Sequence, residues 1–138
     1  MKVNLIDTNV IIRYLVEDPV NVPKRFRGVF PFFERVEAGD VKVELTELVV
    51  FETFFVLTRL YETPEAVAAE TLSKLIQFRG INLTNKKTML ACLRIIQNKR
   101  IDLVDAYLIA CSKEKGIKGI YSFDKDLTKT GLKLLEIK

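Results

Sequence analysis

The feature that most constrains the fold is a junction near the start of the chain. The apolar run Val3 to Ile6 ends on Asp7 and passes directly into a stretch of helical spacing, Val10, Ile11, Tyr14 and Leu15. A buried strand feeding at once into a helix is the repeating unit of α/β folds. That first helix stops at Glu17-Asp18-Pro19, because the residue before a proline avoids helical geometry. Residues 22–38 also have helical spacing but carry Gly28 and Pro31, which predicts a break there, with Pro31 opening a new turn and Ala38-Gly39-Asp40 closing it.

Further units follow. Val41 to Leu45 alternates as a strand, and Thr46 is placed to cap a helix from Glu47 to about Tyr61 that is apolar nearly all round. Thr63-Pro64-Glu65 starts a helix running to about Phe78, closed by Arg79-Gly80, and Ile81 to Leu83 reads as a short strand. Helical spacing resumes from Asn85 to Gln97, and Asp102 can cap a helix from Leu103 to Lys115 that ends at Gly116. Gly119 to Tyr121 is a strand, Ser122 to Thr130 a loop with one helical turn, and Leu132 to Ile137 a last, edge strand. The expected fold is therefore one α/β/α sandwich spanning 1–138, with a mainly parallel central sheet of four or five short strands flanked by helices.

Composition then removes whole classes of chemistry. The chain has no histidine, which excludes Ser-His-Asp and Cys-His triads and every zinc site that needs imidazole. Cys92 and Cys111 are too few for a thiolate cage, and both are expected to be buried core residues in a reducing cytoplasm. No apolar stretch is long enough to span a membrane, so a soluble, untargeted protein is expected. A net charge of +4 makes a polyanionic partner plausible without demanding one.

Against that background several carboxylates stand in unusual places. Asp7 lies where the first strand ends, the edge at which open α/β sheets hold ligands; as an alternative it caps the following helix. Glu52 has Leu48, Val49, Phe55 and Val56 as its helical neighbours, so it is expected to face the interior, where it must be bound to a cation, protonated, or paired with Arg13 or Arg59. Asp105 has Ile101, Leu108 and Ile109 around it, and could alternatively complete a capping box with Asp102. Asp124 and Asp126 follow a strand, and either could cap the next turn. Taken together, these acids form an all-oxygen set with no histidine or cysteine, which suits one or two Mg²⁺ or Mn²⁺ ions. Without metal, converging carboxylates repel one another and at least one should titrate high. Such ions can activate water and hold a scissile phosphate.

In order along the chain, Asp7-Thr8-Asn9-Val10, Glu52 to Tyr61, Asp102-Leu103-Val104-Asp105-Ala106 and Ser122-Phe123-Asp124-Lys125-Asp126-Leu127 resemble the signature stretches of PIN-domain ribonucleases. Within that family the chain looks most like the VapC toxins of type II toxin-antitoxin pairs. The resemblance implies a cytoplasmic Mg²⁺- or Mn²⁺-dependent endoribonuclease, usually a homodimer, held inactive by a VapB-type antitoxin. It implies Asp7, Glu52, Asp105 and Asp124 as metal-binding and catalytic acids, with Asp126 as an auxiliary ligand. Thr8, Asn9 and Ser122 become hydrogen-bonding supports that orient those acids, and Arg13 a phosphate contact or else a solvated arginine. Glu47 competes with Glu52, but only Glu52 has the run through Val56, Leu57, Arg59 and Tyr61 behind it. Gly28 and Pro31 depart from the smoother helix of such toxins, which bears on the antitoxin and dimer surfaces. Two other readings stay open: a catalytically silent PIN-fold binding module, and a phosphatase with Asp7 as nucleophile. Against the phosphatase, Asn9 stands where a second acid would be wanted.

Overall fold

The opening junction forms as its residues dictate. The first strand, β1 (Val3–Leu5), leads to Asp7, whose backbone is extended and whose side chain accepts a hydrogen bond from Thr8 N at 2.7 Å, capping the first helix, α1 (Thr8–Val16). The computed structural model describes residues 2–138, among which lie five β-strands and six α-helices. After α1 comes a 3-10 turn at Lys24–Phe26 and then α2 (Val29–Ala38), so the break expected at Gly28 is present. Pro31 sits in the first turn of α2, where its missing N–H costs nothing, and Gly39 ends the helix in the left-handed conformation.

The middle of the chain supplies the next crossovers. β2 (Lys42–Glu44) is followed by α3 (Glu47–Arg59), whose Thr46 cap accepts from Val49 N at 3.3 Å. Then come α4 (Glu65–Ile76) and β3 (Ile81–Asn82). Gly80 does not close α4 as a left-handed cap; it admits a close crossing, because a Cβ there would stand 2.0 Å from the Val41 carbonyl oxygen and 2.6 Å from that of Val36. That crossing lets Gly80 accept a bond from Val43 N and start β3 beside β2.

The last part contains α5 (Lys86–Asn98), α6 (Leu103–Lys115), β4 (Gly119–Tyr121), a 3-10 turn at Lys125–Thr130 and β5 (Lys133–Leu135). Asp102 caps α6 through a 2.9 Å bond from Asp105 N, and Gly116 ends it. The helices pack around a core that includes Phe33, Phe54, Leu72, Leu75, Met89 and Leu93, all essentially inaccessible to solvent.

All strand pairings are parallel, as expected for an α/β chain, but the strands lie in two sheets. One has the order β1-β2-β3 and the other pairs β4 with β5. This division corrects the expectation of a buried first strand. Among the described residues β1 hydrogen-bonds only to β2 and its other edge is free, and Val3, Asn4 and Leu5 are exposed; Ile6, one residue on, is the buried one. Cys92 is buried, with its thiol pushed up to about 12 by desolvation, whereas Cys111 is only half-buried. No helix among the described residues is long and apolar enough to cross a membrane.

Candidate active site

The parallel sheet places Asp7 at the carboxyl end of β1, and the packing of α1 against α3 brings it near Glu52. Asp7, Thr8, Asn9, Arg13 and Glu52 line one cavity of about 390 Å³, with Ile12 and Val56 as its apolar wall. Glu52 is exposed within it, which overturns the expectation of a carboxylate facing the interior. The reason lies in α3, whose inward stripe is Val50, Thr53, Phe54 and Leu57; the helical neighbour Leu48 is 79 % exposed, so apolar surroundings in sequence do not mean burial here. Neither suggested arginine pairs with Glu52. Arg13 is bound to Glu17 at 2.8 Å and Arg59 lies over the Phe55 ring.

The rival acid Glu47 is engaged elsewhere. It accepts hydrogen bonds from the Tyr107 hydroxyl at 2.6 Å and from the Asn85 side-chain amide at 3.2 Å, joining α3, α5 and α6. That bond, with burial, raises the Tyr107 pKa well above the ordinary phenol value, while the ring packs edge-on against Phe51. Glu47 is thus a structural tie.

Asp105 and Asp124 form a second acidic neighbourhood. Partial burial raises the pKa of Asp105, and the negative charges of Asp102 and Asp124 raise it further. Asp124 caps the second 3-10 turn by accepting from Asp126 N at 2.9 Å, and its own N–H donates to Ser122 Oγ at 3.0 Å. Asp126 is exposed and ion-paired with Lys129 at 3.6 Å. Each of Asp7, Asp102 and Asp124 is therefore an N-cap, the expected role for Asp102 and the alternative one for Asp7 and Asp124, and capping leaves a carboxylate oxygen on Asp7 and on Asp124 for other partners.

Residues 5–133 match the PIN domain family. The chain belongs to it. No curated protein matches the chain, while a match among solved structures is the crystal structure of Mycobacterium tuberculosis VapC20, described as a toxin that cleaves the sarcin-ricin loop. It is 21 % identical, covers 99 % of this chain and 100 % of that one, and has a TM-score of 0.37. In PIN terms, the chain supplies an α/β framework of parallel strands with acids at the strand ends and helix starts.

Whether these residues suit a divalent cation can be judged from the donors. Among the described residues no three of Asp, Glu, Cys or His stand together closely enough to form a cage. The cavity of Asp7 and Glu52 nevertheless has the donor set of a hydrated hard cation, which is commonly held by one or two carboxylates and keeps several waters. Thr8, which also lines the cavity, has a buried hydroxyl with no hydrogen-bond partner among the described residues, a free oxygen beside the two carboxylates.

Sequence reasoning passed over three residues next to this cavity. Arg25, Phe26 and Arg35 line a larger cleft that also borders Asp7, Asn9 and Arg13. The available signal was charge: between Asp18 and Glu34 there is no acid, while Lys24, Arg25 and Arg27 crowd one turn.

Proposed function

We propose that the protein is a Mg²⁺- or Mn²⁺-dependent endoribonuclease of the VapC type, acting at the acidic sites around Asp7. The observation that carries this reading is the shared cavity of Asp7 and Glu52 within a chain that matches the PIN family over residues 5–133. Asp7 and Glu52 would hold the ion, and Asp105 and Asp124 would complete the acidic set from α6 and the loop after β4, with Asp126 auxiliary. When bound, such an ion supplies positive charge to the phosphate and acidifies water. The chain's own contribution is positional. The Thr8 N–H fixes one Asp7 oxygen, Ser122 Oγ fixes the backbone of Asp124, and Asn9 offers an amide at the cavity wall.

In the same reading the net charge of +4 draws RNA toward the acidic pocket, a homodimer forms, and a VapB-type antitoxin restrains the enzyme in the cytoplasm. The absence of acid at position 9 weighs against an Asp7 phosphoenzyme. Purified protein incubated with RNA and Mn²⁺ or Mg²⁺ should give 5′-phosphate and 3′-hydroxyl ends, and EDTA or Asp7→Asn should stop it. Cleavage that survives both, or a nuclease-free preparation that never cuts RNA, refutes the proposal; in the second case divalent-independent RNA binding would point to the silent module.

A further inference from the structure

We propose that the cleft bordered by Arg13, Arg25, Phe26 and Arg35 is a nucleotide-binding groove that seats single-stranded RNA beside the bond cut at the Asp7 cavity. This deepens the ribonuclease reading and rests on it. The cleft has a volume of about 870 Å³, and Val29 and Phe32 give it an apolar floor. Its rim is cationic. The Arg13 and Arg25 guanidinium carbons lie 4.2 and 4.5 Å from the centre of the half-buried Phe26 ring. Arg13 shares its charge with Glu17, but among the described residues neither Arg25 nor Arg35 has an ion-pair partner.

Guanidinium groups without an ion-pair partner around a concave, partly apolar surface match what an unstacked nucleotide presents: a phosphate for the cations and a base face for the planar guanidinium that Phe26 supports. A duplex cannot offer that face, because its bases are stacked on one another. The cleft is also continuous with the acid cavity, since Asp7, Asn9 and Arg13 border both. A strand lying along the Arg25 and Arg35 rim therefore runs on toward Asp7. An acidic peptide could satisfy the cations but would leave the stacking surface without a partner, so the groove favours RNA.

Binding is measured without cutting, by anisotropy of a short fluorescent single-stranded RNA in EDTA. Two variants separate charge from shape. Arg25→Ala/Arg35→Ala removes cations, whereas Gly28→Leu adds bulk at the wall of the cleft, where nothing lies within 4 Å of a Cβ and a φ of −62° suits any residue. Both should weaken RNA at least about tenfold with the melting temperature held, and the double variant should lower the slope of log K against log salt by about two. Duplex RNA should compete poorly. Unchanged affinity in both variants overturns the groove even if the wild type cleaves RNA, and so does polyglutamate that competes as well as single-stranded RNA. Cleft-dependent binding by a protein that never cuts RNA leaves the groove standing and removes the ribonuclease reading instead.

Discussion

Asp105 shows the tension of the site in its own titration. Burial and the neighbouring Asp102 and Asp124 raise its pKa in the folded protein above the ordinary carboxylate value, so ionising it opposes folding. The sign follows directly: this cost is absent below the unfolded pKa, grows as pH rises through the window between the unfolded and folded pKa, and is fully present above the folded pKa. In EDTA, Asp105→Asn should therefore melt above the wild type at pH 7 and lose that advantage in acid, as thermal scans across pH will show; an equal gain at every pH would contradict it. Glu52 differs because it is exposed. Glu52→Gln should lower RNA cleavage by about 100-fold or more while stability stays within about 0.5 kcal/mol. A large loss of stability would mean that the side chain is buried after all.

At the scale of elements, the sequence announced the boundaries better than the faces. Asp7, Thr46, Asp102 and Asp124 all cap the turns they precede, because a short polar side chain meeting free N–H groups is a local event. Asp102→Ala should cost about 1 kcal/mol in chemical denaturation while reducing cleavage far less than Asp105→Asn. The inward face of α3 was illegible, since a helix that is apolar nearly all round has lost the phase by which periodicity marks its buried side. Gly80 was legible only as punctuation. Its real task depends on Val36 and Val41, residues of other elements, and Gly80→Ala should destabilise by about 3 kcal/mol.

For the molecule as a whole, short strands alternating with helices established the parallel α/β class, but which strands pair is decided by long-range packing that no local pattern carries. Hence β1, read as buried, stands at a free edge with Leu5 77 % exposed, and β4 and β5 pair with each other. The candidate acids were legible individually because carboxylates among apolar residues need a reason. Their grouping into Asp7 with Glu52 and Asp105 with Asp124 was not, because it depends on how α1, α3 and α6 pack. Everything proposed for the reaction depends on a divalent ion at the Asp7 and Glu52 cavity. In anomalous diffraction from a Mn²⁺-soaked crystal, a peak should stand within ligand distance of both carboxylates and vanish in Asp7→Asn; a peak only elsewhere, or none at saturating Mn²⁺, overturns the metal site.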